Sequence, residues 1–446
     1  MLLQFSMSNY KCFKEEIKLS MIASNYDKST REAENIVYLP EFGLRLLKSA
    51  VVYGANASGK TKLIEGMAFM KYFILQSSKE SQIKDQIPVD PFRLSEATED
   101  APSVFEMIFI HRDTMYRYGF EADRKQIHAE WLFHKRGAKE IELFYREGQD
   151  FEVNDRQFKV KDLIERDRIR PNALLLSVAA NWNDKLAEQI LEWFQGFNTI
   201  SGLKEEGYEG YSIGRIQQNA ANKQAMMTML KEAGLGIEDI IIQKLDINNL
   251  PKDMPDEVKD FLRQQKAEKQ EAEFFSDLIT IHKKYGEDKG MATGKVPFSM
   301  NEEESSGTRK FFALTGPVLE TLQKGEILVA DELANKLHPN LTCKLIEIFN
   351  SPSKNPNNAQ LIFNTHDTNL LGSGLFRRDQ IWFTEKDRYG AATLYSLNDF
   401  KSSDVRKGES YERNYIKGNY GAIPFLGNFE NLFPELLALS GHENEG

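Results

Sequence analysis

The sequence predicts an α/β fold: a mixed-sheet core, an antiparallel β subdomain and a mainly helical insertion. Three observations carry that reading. First, Gly54-Ala55-Asn56-Ala57-Ser58-Gly59-Lys60-Thr61 fits G-x-x-x-x-G-K-[ST], with an apolar strand-like run before it (49–53) and a helical stretch after it (62–75). Second, the short apolar runs 325–330 and 360–364 each end in polar residues, as buried parallel strands do. Third, residues alternate between apolar and polar over 104–110, 116–120 and 127–133, as in successive antiparallel strands.

The remaining elements follow in chain order. Residues 2–7 and 16–23 alternate like strands around a turn at Asn9-Tyr10-Lys11-Cys12-Phe13, and 44–53 feeds the glycine loop. A further strand is expected at 140–145. Segment 158–200 turns helical, most clearly over the amphipathic stretch 184–197. From 202 to 294 the chain becomes polar and rich in Gln and Lys. Helices are expected there at 217–231 and 255–271, around a short strand at 240–245, and the charge run 263–273 reads as a solvated helix face. Strands resume at 381–385 and 392–396. The expected units are therefore 1–201, the insertion 202–294, and 295–446.

Composition excludes several classes. With 446 residues, 41% hydrophobic and 11% aromatic, the chain can bury a sizeable core in one large or two ordinary domains. The net charge of −10, from 57 basic and 67 acidic residues, leaves no bulk basic footprint for nucleic acid. Two distant cysteines, Cys12 and Cys343, form neither a disulfide framework nor a zinc motif and suit a reducing compartment. The N-terminus lacks a leader pattern and no apolar run reaches membrane length, so a cytoplasmic protein without a membrane partner is expected.

The chemistry concentrates at strand ends. In the glycine loop, Gly54 and Gly59 let the backbone N–H groups, including those of Asn56, Ala57 and Ser58, turn inward onto phosphate oxygens. Lys60 would reach the β- and γ-phosphates of ATP, and the Thr61 hydroxyl would hold Mg²⁺. Ile327-Leu328-Val329-Ala330-Asp331-Glu332 ends an apolar strand in two acids, suited to a metal ligand at Asp331 and a water-orienting base at Glu332. Ser305, Ser306 and Gly307 open a helix and form an anion-binding terminus or an ordinary cap. His366, after the strand 360–364, is placed to touch the γ-phosphate. His338 lies shortly after the acidic pair.

In this order the four elements resemble the ABC/SMC-type ATPases, in particular the RecF- and OLD-like group. The resemblance covers 1–110 and 296–428. It extends to Asn9-Tyr10-Lys11-Cys12-Phe13, to the run 360–371, to Arg377-Arg378-Asp379-Gln380-Ile381-Trp382-Phe383 and to the run 415–424. It implies an ABC-type P-loop ATPase head with ATP and Mg²⁺ as cofactors. It also implies a homo-oligomer of at least two heads packed head to tail. Lys60, Thr61, Asp331, Glu332 and His366 of one head would then face Ser305, Ser306 and Gly307 of the other. The signature reads Glu-Ser-Ser-Gly-Thr rather than Leu-Ser-Gly-Gly, and Ala334 stands where relatives often carry an acid or polar residue. Gln82 and Gln86, near Pro91-Phe92, are candidates for the Q-loop.

The same resemblance, which extends to the ATPase subunits of PARIS-type systems, implies a sensor or scaffold in prokaryotic anti-phage defence. It would answer a phage-encoded trigger and control a separate TOPRIM-like or HNH nuclease or toxin. The space after His366 does not hold a fused TOPRIM domain, so the effector is expected in trans. A RecF-like DNA-binding repair clamp is the alternative, resting on Arg377-Arg378 and the basic stretch 401–417. The separation of 277 positions from Gly54 to Asp331 exceeds what a transporter cassette needs.

Overall fold

The computed structural model describes residues 1–79, 85–137, 139–202, 206–244, 256–257, 259–260, 264, 275–287, 290–401 and 410–424. The chain opens with strands β1 (Leu2–Ser8) and β2 (Ile17–Ser20), helix α1 (Glu32–Asn35), the hairpin β3 (Ile36–Leu39) and β4 (Leu44–Leu47), then β5 (Ser49–Gly54) and α2 (Lys60–Gln76). Strands β6 (Ser103–His111), β7 (Thr114–Ala122), β8 (Ile127–Lys135), β9 (Ile141–Glu147) and β10 (Asp150–Val153) follow. Helices α3 (Lys161–Glu165), α4 (Leu175–Asn181) and α5 (Lys185–Gln195) lead to β11 (Phe197–Ser201). Next come α6 (Glu206–Gln218), α7 (Ala220–Glu232), β12 (Ile237–Lys244), β13 (Phe275–Tyr285) and β14 (Ala292–Ser299). The chain then forms α8 (Ser306–Lys324), β15 (Ile327–Asp331), α9 (Pro339–Asn350), β16 (Gln360–Asn364), α10 (Asn369–Gly372), β17 (Ile381–Lys386), β18 (Ala392–Ser396) and α11 (Tyr411–Ile416).

Two large sheets organise these elements. One is antiparallel, in the order β10-β9-β8-β7-β6-β1-β2. The other runs β11-β15-β16-β5-β17-β18, with every neighbouring pair parallel except β17 and β18. Strands β5, β15 and β16 are buried along their whole length, which explains their unbroken apolar runs: both sheet faces are covered. Helix α2 lies between the sheets. Its Phe69 and Phe73 pack with Phe105 and Phe120 of the antiparallel sheet at ring-centroid distances of 5.0 to 6.5 Å. On the opposite face of the parallel sheet, Phe311, Phe312 and Val318 of α8 join Ile346 and Phe349 of α9 in a second core.

Several expectations shift in detail. The run 44–53 is two strands in different sheets, because β4 pairs with β3 while β5 enters the parallel sheet. The helical segment expected to reach 200 ends at Gln195. Residues 197–201 instead form β11, a partly exposed edge strand parallel to β15. The insertion holds helices α6 and α7, but also an antiparallel sheet ordered β12-β13-β14, where only one short strand was expected. Gln82, most of the helix expected at 255–271, all of the charge run 263–273 except Gln264, and residues 402–409 of the basic stretch lie outside the described residues. Among the described residues, no helix is long and apolar enough to cross a membrane.

The insertion is tied to α8. Pro317 lies inside α8 and has no N–H to offer the Ala313 carbonyl one turn earlier. The Ser212 hydroxyl of α6 donates to that carbonyl at 2.6 Å and accepts from Gly316 N at 3.1 Å. A Cβ on Gly316 would overlap Ser212, so glycine is what lets the helices approach.

Candidate functional site

The glycine loop joins the C-terminal end of β5 to the first turn of α2. Gly54 has φ of 156° and Gly59 of 115°, both outside the range comfortable for other residues. A side chain on Gly54 would also run into the Thr384 carbonyl of β17 and the Ser58 hydroxyl. Ser58 Oγ lies 2.7 Å from Thr384 Oγ1, so that side chain is engaged by β17 and its offering to a ligand is the backbone N–H. Lys60 is buried, and its ammonium donates to the carbonyls of Gly54 at 2.9 Å and Ala55 at 3.0 Å.

Strand order brings the acids to this loop. Because β16 lies between β15 and β5, the C-terminal ends of three neighbouring parallel strands converge, where open α/β sheets bind ligands. Thr61 Oγ1 donates to Asp331 Oδ1 at 2.9 Å. Asn364, fully buried at the end of β16, donates from Nδ2 to the same oxygen at 2.6 Å. Its Oδ1 accepts from the Glu332 backbone N–H, also at 2.6 Å. Glu332 has φ of 54°, a left-handed conformation uncommon for a glutamate. His366 Nε2 stands 3.1 Å from Glu332 Oε1.

A cavity of about 1050 Å³ sits over the loop, near the upper end of the roughly 300–1,000 Å³ usual for small-molecule sites. Asn56, Ala57, Ser58, Gly59, Lys60, Thr61, Glu332 and His366 line it. Glu332 and His366 also line a second hollow of about 500 Å³ with Ala334 and Asn335. Ser305, Ser306 and Gly307 line neither. Ser305 caps α8 by accepting from Thr308 N at 3.1 Å, Ser306 is exposed, and a Cβ on Gly307 would come within 2.9 Å of the Lys336 carbonyl. His338 caps α9, its Nδ1 accepting from Asn340 N at 3.2 Å. Of the Q-loop candidates, Gln86 lines a different cavity, beside Tyr72 and Ser77, whereas Pro91 and Phe92 do line the large one.

Burial lowers the Lys60 ammonium to a pKa of about 8, against the opposing pull of Glu332 and Asp331. Burial and then the Lys60 charge hold the His366 imidazole below its ordinary range, again opposed by Glu332 and Asp331. Imidazole at this place is therefore a neutral hydrogen-bonding group near neutral pH. Thr61 Oγ1, which lines the cavity, and Asp331 Oδ1, buried directly behind it, are two hard oxygen donors side by side, a donor set that fits Mg²⁺.

Three participants carried no role in the sequence reading. Asn364 holds both acids in place. Lys310, fully buried on α8, donates from Nζ to the carbonyls of Gly202 and Glu332, each at 3.1 Å. Gly202 donates its N–H to Asp331 O at 2.6 Å. The one available signal was position: Asn364 is the polar last residue of an apolar run.

A model of the family described as "AAA domain, putative AbiEii toxin, Type IV TA system" matches residues 49–372, well over half of the chain. Among solved structures, the chain is similar to the SMC head domain from Thermotoga maritima, at 10% identity over 89% of this chain and 98% of that one, with a TM-score of 0.40. It is similar at 11% identity to the SmcHead bound to the C-winged helix domain of ScpA, covering 89% and 97%, with a TM-score of 0.40. A third is the Smc head domain with an extended coiled coil, bound to the C-terminal domain of ScpA derived from Pyrococcus furiosus. That match is at 10% identity, over 89% and 96%, with a TM-score of 0.30. A search of curated proteins finds no match.

Proposed function

The chain belongs to this AAA-domain family, and from that membership we propose that it binds and hydrolyses ATP as a head that pairs with a second copy. The observation that carries the reading is one loop-floored cavity lined by Lys60, Thr61, Glu332 and His366, with Asp331 and Asn364 hydrogen-bonded to that lining from behind and the signature serines exposed outside it. Residues suited to grip phosphate that do not reach the chain's own cavity suit a nucleotide held by another head.

In this reading the loop N–H groups and Lys60 bind the phosphates, displacing the Lys60 ammonium from the Gly54 and Ala55 carbonyls. Thr61 and Asp331 would hold Mg²⁺, which neutralises phosphate charge when bound. The Glu332 carboxylate accepts a proton from the attacking water. In the free head the one N–H of neutral His366 is directed at Glu332 and orients it; with ATP bound that same N–H turns to the γ-phosphate. Asn364 keeps the Asp331 carboxylate and the Glu332 backbone from drifting apart. Hydrolysis then releases the paired heads.

The biological setting we propose is anti-phage defence, with the head as sensor or scaffold controlling a separate nuclease or toxin. The toxin–antitoxin wording of the family's description supports that setting. The test is affinity purification of the Glu332→Gln protein from its native cells with ATP and Mg²⁺, with Lys60→Ala as control. A stoichiometric nuclease or toxin supports the sensor reading. DNA alone, retained only by the ATP-locked form, overturns it in favour of a RecF-like clamp. Phosphate release by Glu332→Gln at the wild-type rate would remove the hydrolytic role given to Glu332.

A further inference from the structure

The segment carrying Ser305, Ser306 and Gly307 is held from the insertion by a buried polar contact. Thr280 and His282 both lie on β13 and face the same carboxylate. Thr280 Oγ1 donates to Glu304 Oε1 at 2.6 Å, and His282 Nε2 lies 2.7 Å from that oxygen. Thr280 is fully buried, and the side chains of His282 and Glu304 are 18% and 9% exposed. The His282 ring packs on Phe298 of β14 at 4.8 Å, which fixes its orientation. Glu304 is the residue immediately before the α8 cap Ser305. The segment's far side is held too: Arg309 donates to Asn301 O at 3.1 Å, and Ser299 N donates to Glu303 Oε2 at 2.7 Å.

A carboxylate removed from water needs donors, and leaving it without them costs far more than the bonds themselves contribute. Glu304 therefore stays inward only while β13 presents Thr280 and His282. Released, the carboxylate would turn to water and loosen the turn at Ser305, while the Glu304 N–H still donates to Ser299 O at 3.2 Å. The second tie, from Ser212 to the Pro317-interrupted turn of α8, fixes the helix body, so motion at Glu304 is confined to the exposed serines and the first turn.

We propose that Thr280 and His282 are positioning residues. Through Glu304 they hold the signature serines ready, so that the insertion sheet governs how this chain closes on a nucleotide bound by a second copy. The inference rests on the paired-head reading above. It makes the insertion a regulatory element of the shared site, since whatever displaces β13 relative to α8 changes closure without touching the P-loop.

The experiment uses the full chain carrying Glu332→Gln, with ATP and Mg²⁺. Dimerisation is followed by sedimentation, nucleotide binding by a fluorescent ATP analogue at concentrations below dimerisation, and backbone order by amide hydrogen exchange at residues 305–309. Adding His282→Ala is expected to weaken the ATP-dependent dimer about tenfold, the scale of one charged hydrogen bond, and to speed exchange at 305–309. Analogue binding by single heads stays unchanged. Thr280→Val acts in the same direction, and His282→Gln, which keeps a donor at the same reach, restores the dimer. Equal dimer affinity and equal exchange in His282→Ala overturn the proposal. So does a loss that His282→Gln fails to restore. If Glu332→Gln alone stays monomeric with ATP, the paired-head reading itself fails, and this proposal with it.

Discussion

Lys310 donates a 3.1 Å hydrogen bond to the main-chain carbonyl of Glu332. One end of this contact is a fully buried ammonium on the helix that begins at the signature serines. The other is the residue proposed to activate water, held at φ of 54°. Within one chain, the helix proposed to meet a partner's nucleotide thus touches the backbone of the proposed catalytic acid.

Replacing Lys310 by Met keeps the packing volume and removes both bonds, to Gly202 O and Glu332 O. Two buried carbonyls lose a charged donor, so a loss of about 1–3 kcal/mol in unfolding free energy is expected. Phosphate release should fall at least about tenfold, while affinity for a non-hydrolysable nucleotide changes by less than about threefold, because the P-loop is untouched. Denaturant titration and steady-state kinetics check both. An equal loss of binding would show that Lys310 supports the P-loop rather than Glu332.

Asn364 holds two groups with one amide. Asn364→Ala leaves Asp331 Oδ1 with Thr61 as its remaining side-chain donor and removes the acceptor of the Glu332 N–H. A drop of about 1–3 kcal/mol in stability is expected, together with a weaker Mg²⁺ requirement curve: half-activation should need more metal. Asn364→Asp should be worse for turnover, since it sets a second carboxylate against Asp331 at hydrogen-bonding distance. Mg²⁺ titrations of phosphate release separate the two. Unchanged half-activation in Asn364→Ala would remove its positioning role at Asp331.

The parts of the site legible in the sequence are those written at the ends of apolar runs. Gly54 to Thr61, Asp331 and Glu332, and His366 each follow a strand whose burial is visible as unbroken hydrophobicity. What Asn364 and Lys310 do depends on strand order, with β16 between β15 and β5, and on α8 crossing behind β15. No local pattern encodes such neighbours. The edge strand β11 escaped because a half-exposed Phe-Asn-Thr-Ile-Ser reads as readily as the end of a helix. The exposed strand β14, with Thr293, Gly294, Lys295 and Pro297, has no apolar alternation to show.

Lys60 predicts a pH dependence of nucleotide binding. In the free protein burial lowers its ammonium to about 8, and bound phosphate would raise it again. A group whose pKa rises on binding contributes affinity fully below its free value, and that affinity is lost as pH climbs through it. Association should therefore be flat below about pH 8 and weaken by up to about tenfold per unit above it. Lys60→Arg, charged throughout, should bind without that slope. Calorimetric titrations between pH 7 and 9.5 in buffers of different ionisation enthalpy would read the proton uptake directly. A slope of zero would mean that Lys60 keeps its proton in the free protein.

Gly202 packs against the Glu332 carbonyl from the other side. A Cβ there would overlap the Glu332 carbonyl and come within 2.7 Å of Lys310 Nζ and 2.9 Å of the Asp331 carbonyl. These are backbone atoms and a pinned ammonium, so none can yield cheaply. Gly202→Ala must push Glu332 away from Lys310, which is the displacement Lys310→Met would permit but not force. Turnover should fall further than in Lys310→Met, by about a hundredfold, with nucleotide affinity again within about threefold. The double variant should lose little more than Gly202→Ala alone, because both act on one backbone position. Fully additive losses in that cycle would place Gly202 and Lys310 in separate roles.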